Sequence, residues 1–126
     1  MKDMFETNGI GIHFFMFLTF LKGNGTKEQH AKWLELAQEG KFMGCYAQTE
    51  LGHGSNVRGL RTTAHYDKAT KEFVLNTPTL AATKWWPSSM ATATHAVVYA
   101  QLLIDGHEYG VHVFWLQVGR GYKTII

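Results

Sequence analysis

The hydrophobic pattern changes period once along the chain. From about Gly9 to Leu21 apolar side chains cover most of the circumference of a helix, and Ile10–Leu21 (IGIHFFMFLTFL) is the only long apolar run. A helix of that kind is normally buried on several sides. Lys22-Gly23-Asn24-Gly25 stops it, since glycine can take the left-handed conformation that ends helices. Thr26 then predicts an N-cap, Gln29 three residues on completes a capping box, and Glu28 sits in the favourable first turn. A second helix, roughly Lys27–Gln38, puts Trp33, Leu34 and Ala37 on one face and Lys27, Glu28, Lys32, Glu35 and Gln38 toward solvent. His30 reads as a surface residue on it, and Gly40 closes it.

Beyond Gly40 the pattern alternates. Phe42–Gln48 predicts a strand. Arg61–Tyr66 and Glu72–Asn76 flank the polar turn Asp67-Lys68-Ala69-Thr70-Lys71 and predict a hairpin. Thr79–Trp86 reads as extended until Pro87 removes a ladder donor. Ala96–Ile104 and Tyr109–Val118 surround Asp105-Gly106, the best short hairpin signal in the chain. Two helices followed by about five strands predict an α+β arrangement or the junction of two domains. Residues 119–126 do not continue the alternation, which would leave a sheet edge unpaired. With the over-apolar first helix, this reads as a piece of a larger protein.

Composition narrows the function only a little. The 126 residues are 45% hydrophobic, which argues against disorder. A net charge of +2 from scattered lysines and arginines forms no stripe for nucleic acid. The apolar run is too short to span a bilayer and lacks the flanks of a signal peptide. Lys123-Thr124-Ile125-Ile126 is no Ser-Lys-Leu-type address. The single cysteine, Cys45, reads as a small buried apolar side chain. Seven histidines show no His-Glu-x-x-His spacing, so no metal site is expected. A Ser55/His53/Asp67 triad can be assembled on paper, without a nucleophile-elbow motif to support it.

Two stretches could carry chemistry. Tyr46–Ser55 (YAQTELGHGS) packs Thr49, Glu50, His53, Ser55 and two glycines into ten residues at the boundary between the helical and strand-rich halves. Such a loop can present N–H groups and short hydroxyls to a flat polar ligand, though Gly and Ser also make ordinary loops. Glu50 reads as a residue that structures the loop. In Lys84-Trp85-Trp86-Pro87-Ser88-Ser89, a strand would point the two indoles to opposite faces, one to the core and one toward a ligand. The residues alone favour the plainer reading, in which both indoles are core or interface.

YAQTELGHGS, followed by Asn56-Val57-Arg58-Gly59-Leu60, Thr62-Thr63-Ala64, KWWP and Ala100-Gln101-Leu102, closely resembles the peroxisomal acyl-CoA oxidases, flavoproteins related to the acyl-CoA dehydrogenases. Gly23–Gln29 with Trp33-Leu34 is similar to the helix pair ahead of that loop. The likeness runs over about residues 4–118. It implies the end of an N-terminal helical domain (1–40), part of an antiparallel β-barrel-like middle domain (41–118) and a divergent tail (119–126). It implies FAD as cofactor, with Thr49, Ser88, Trp86 and Ser55 as its contacts; Ser88 and Ser89 stand where the oxidases have glycines. Acyl-CoA and O₂ are the implied substrates, a homodimer the full-length state and the peroxisome the location. The α-proton base is a glutamate of a later domain, so no catalytic residue is expected in this chain. The competing reading is a non-catalytic remnant that binds FAD or acyl-CoA, or pairs with a full-length subunit.

Overall fold

A computed structural model describes residues 9–87 and 92–118. They fall into two compact units, one made of 9–46, 87, 92–97 and 115–118, the other of 47–86 and 98–114.

In the first unit, helix 9–24 is interrupted by a π-helical turn at His13–Phe17, and helix 27–38 by another at His30–Leu34. The first helix buries His13, Phe17, Leu18 and Leu21 and leaves Ile10, Phe14, Phe15 and Met16 exposed, so only one side of its apolar circumference is covered. The capping box forms as expected: Gln29 N–H donates to Thr26 Oγ1 (3.2 Å) and Thr26 N–H to Gln29 Oε1 (2.8 Å). Trp33 and Leu34 are half-buried and Ala37 is buried.

Two expectations change here. Gly25 ends the first helix with an extended backbone (φ −71°, ψ 148°), not a left-handed one. What its missing side chain admits is the His30 ring, which would lie 2.7 Å from a Cβ at that position. His30 is therefore a half-buried capping group, not a surface residue. Leu21 O accepts from both Gly25 N–H (2.9 Å) and His30 Nε2 (2.8 Å), which supplies a partner for a carbonyl at the end of the helix.

His13 organises the rest of this unit. Its Nδ1 accepts the Gly44 N–H (3.0 Å), which leaves Nε2 to donate to Ala37 O (2.8 Å). Its ring meets those of Phe17 and Phe42, and these pack on against Trp33, His95 and Trp115, with Phe42–His95 centroids 4.1 Å apart and Phe17–Trp115 5.0 Å. Burial without a partner ion lowers the His95 pKa. Cys45 is fully buried, and desolvation pushes its thiol up to about 11.

The strands are β1 (Gly44–Ala47), β2 (Thr63–Asp67), β3 (Glu72–Asn76), β4 (His95–Ile104) and β5 (His107–Gln117). Their order is β1-β4-β2-β3, with β5 also on β4. Both hairpins match the sequence reading. Asp67 pairs with Glu72 at the end of β2–β3, and the Asp67 carboxylate accepts from Ala69 N–H (2.8 Å) inside the turn. Asp105 and Gly106 both take positive φ (52° and 78°), the geometry a two-residue turn needs to match strand twist.

The helix-then-sheet class holds, but the sheet is mixed. β2 runs parallel to β4, with Thr63 opposite Gln101 and His65 opposite Leu103, and the described strands do not close into a barrel. Thr79–Trp86 is not a strand either: Leu80–Ala82 forms a 3₁₀ turn, and only Lys84 makes an isolated bridge, to Glu50. The carbonyls of Ala81 and Thr83 are taken by the loop described next.

Candidate functional site

The second unit turns on one buried carboxylate. Glu50 is 1% exposed and accepts from Arg61 N–H (2.9 Å), Thr62 N–H (2.8 Å), the Thr62 hydroxyl (2.6 Å) and the Lys84 ammonium (3.2 Å). Burial raises the pKa of this carboxyl. The Thr62 hydroxyl, the two amides and the Lys84 charge outweigh it and hold the group below the ordinary carboxylate range. For Lys84 desolvation wins and its pKa is lowered, although Glu50 opposes the shift. Glu50 is thus the loop-structuring residue the sequence suggested.

The backbone does the rest of the fastening. Leu51 N–H donates to Thr83 O (2.8 Å), Gly52 N–H to Ala81 O (2.8 Å) and Trp85 N–H to Thr49 O (2.9 Å). Gly52 lies close against this segment, since a Cβ there would stand 3.0 Å from the Ala81 carbonyl oxygen and Cβ and would need Ala81 to give way by a few tenths of an ångström. These bonds stitch TELGH to the segment leading into KWWP. The two sequence stretches meet.

Each predicted contact has a distinct setting. Thr49 is half-buried in the loop. Trp86 is 77% exposed and holds φ at +46°, a left-handed conformation uncommon for a bulky residue. Trp85 is also exposed, so neither indole reaches the core and the alternating-face expectation fails; the segment is not a strand. Ser55 is exposed, and its carbonyl accepts from Val57 N–H (2.9 Å); it is not joined to Thr49 or Trp86 by a hydrogen bond. Ser88 and Ser89 lie outside the described residues.

The paper triad does not assemble. His53 Nε2 stands 3.4 Å from Glu50 Oε2, and neither ring nitrogen makes a hydrogen bond, while the Asp67 carboxylate caps its own turn. Among the described residues no group of three or more His, Cys, Asp or Glu converges as metal ligands. No described helix is long and apolar enough to cross a membrane. A hollow of about 300 Å³ lined by Gln29, Trp33, His95, Trp115 and Gln117 belongs to the first unit and contains none of the predicted contacts.

Sequence reasoning missed Lys84 and Thr62. The available signal was a lone lysine directly before two tryptophans, facing a loop with one carboxylate. Opposite charges in apolar company are buried as pairs.

The family model described as acyl-coenzyme A oxidase N-terminal matches residues 3–43, and the acyl-CoA dehydrogenase middle-domain model matches residues 45–123. The chain belongs to the acyl-CoA oxidase family. It is similar to peroxisomal acyl-coenzyme A oxidase 1 of Arabidopsis thaliana, 54% identical over 110 residues that cover 86% of this chain and 17% of that protein. The solved structure of Arabidopsis acyl-CoA oxidase 1 matches with a TM-score of 0.85 at 54% identity, over 87% of this chain and 17% of the other. Acyl-CoA oxidase-2 of Caenorhabditis elegans, solved with FAD, ascaroside-CoA and ATP, matches with a TM-score of 0.86 at 46% identity, over 93% of this chain and 18% of its own. This oxidase-family chain therefore spans about one-sixth of the length of the relatives it matches.

Proposed function

We propose that the chain supplies the flavin-facing loop of a peroxisomal, FAD-dependent acyl-CoA oxidase, with Thr49, Trp86, Ser88 and Ser55 as cofactor contacts. The observation that carries this reading is the Trp85 N–H···O Thr49 bond, which draws the two motif stretches into one neighbourhood. The donor set suits a flat, partly anionic ring system: a half-buried threonine on a fastened loop, bonded through its carbonyl to the residue before an exposed tryptophan.

Bound FAD supplies two-electron acceptance, turning an acyl-CoA into its trans-2-enoyl-CoA while O₂ leaves as hydrogen peroxide. The chain's own residues orient and shield. Thr49 offers a hydroxyl donor on a backbone that need not reorganise, and Trp86 offers an aromatic wall that keeps water off one side. Glu50 takes no proton from substrate, because its oxygens already accept four hydrogen bonds and its charge faces Lys84. The base that removes the α-proton comes from elsewhere in a full-length oxidase, so this chain alone binds without turning over.

Purified chain titrated with FAD should give a flavin absorption band that shifts on binding, and no peroxide when an acyl-CoA is added. Thr49→Ala should weaken FAD binding by about 1 kcal/mol, the usual net worth of a hydrogen bond. Unchanged affinity would remove Thr49 from the ring contacts. Peroxide production by the chain alone would refute the claim that the base lies elsewhere.

A further inference from the structure

We infer that Lys84 is a positioning residue for the cofactor loop, gripping the chain on both sides of Thr49 and so fixing where Thr49 and Trp86 stand. The inference rests on the flavin reading above.

An ammonium has three donors and no acceptor. Those of Lys84 go to Tyr99 O (2.7 Å), Gln48 O (3.1 Å) and Glu50 Oε1 (3.2 Å). Gln48 and Glu50 are the two neighbours of Thr49, and Tyr99 belongs to β4. One side chain therefore ties both flanks of Thr49 to a sheet strand. Its side chain is 2% exposed, so water hardly competes for these bonds. The next residue along, Trp85, returns its own N–H to Thr49 O, and Trp86 follows directly.

The same count decides against a different role. A lysine beside exposed indoles invites assignment as a phosphate contact. Here every donor is spent on the chain itself and the head group is buried, so none remains for an anionic ligand. The influence of Lys84 on the cofactor runs through the loop.

The test must separate a gripped loop from a merely stable fold. Lys84→Met alone would leave the Glu50 carboxylate buried without its cation, so the measurement uses Lys84→Met combined with Glu50→Gln, which keeps the site neutral. Lys84→Arg is measured beside it; a planar guanidinium keeps the charge but cannot reproduce the three-way grip. For each 126-residue variant, FAD affinity is titrated and backbone amide exchange is followed without flavin. Both variants should lose FAD affinity by roughly tenfold or more, equivalent to about 1.4 kcal/mol. Faster exchange should be confined to the amides of Leu51, Gly52 and Trp85, while β2 and β3 keep their protection.

Wild-type affinity in both variants would overturn the inference, as would unchanged exchange at those three amides. Acceleration spread equally over β2 and β3 would also overturn it, marking Lys84 as a general stabiliser. Failure of the wild-type chain to bind FAD would defeat the flavin reading and, with it, the cofactor half of this inference. The exchange pattern would then decide separately whether Lys84 holds the loop.

Discussion

The two compact units bury polar side chains by different physical means. In the first, His13 is satisfied by two backbone groups, Ala37 O and Gly44 N–H, within a shell of aromatic rings. In the second, Glu50 is an ion held by two amides, a hydroxyl and the Lys84 ammonium. The imidazole joins elements and carries no debt of charge. The carboxylate solves an ionic problem that the fold itself created by burying it. Residues around an ion pair are harder to replace one at a time, because each substitution strands an opposite charge.

The difference can be broken most forcefully at Glu50. Glu50→Ala strands the Lys84 ammonium and leaves Arg61 and Thr62 N–H without their acceptor. The expected loss is about 3–5 kcal/mol, the range for breaking a buried pair, read from urea denaturation. Adding Lys84→Met should recover part of it. A single variant as stable as the parent would show that the pair is not what holds the loop.

Gly44→Ala should act next most strongly, and in the first unit. A Cβ there would collide with the Phe17 ring, and that ring is fully buried. Forcing it aside should cost about 1–3 kcal/mol by overpacking and disturb the His13 bond to Gly44 N–H. Near-ultraviolet circular dichroism would report the disturbed rings, and an unaltered spectrum would contradict the packing described.

Acid should sharpen the contrast more gently. His95 has a lowered pKa, so below its ordinary value of 6.5 the unfolded chain holds more protons than the folded one. Stability should decline as pH falls from 6.5 toward the depressed value. Glu50 has the opposite charge type, and its contribution is fully present above the ordinary carboxylate value of 4.5 and lost only as pH falls through its lowered value. Acidification should therefore loosen the first unit before the second, as followed by amide exchange at each. His95→Gln should flatten the earlier phase only, and loss of the later phase instead would reverse the assignment.

Local signals in the sequence read well. Thr26 with Gln29, the Asp67–Lys71 turn and Asp105-Gly106 are decided by neighbours within a few positions, and all three form as their residue types predict. The loop motif and KWWP were legible as separate stretches of one family. What could not be read was set by distant partners. His30 turns inward because Leu21 O lies nine residues away across Gly25. Leu80–Ala82 abandons extended structure because Leu51 and Gly52 N–H claim the carbonyls of Thr83 and Ala81. The parallel pairing of β2 with β4 joins positions almost forty residues apart, and no periodicity encodes it.

Trp86 has a consequence for endurance. A bulky aromatic held at positive φ with its indole in solvent costs folding free energy, commonly of order 1–3 kcal/mol, and the described contacts return little of it. A lineage selected for heat tolerance alone would drift to glycine or asparagine at 86 and melt later. Keeping tryptophan there means accepting a softer protein in exchange for the aromatic surface that the proposed flavin contact requires.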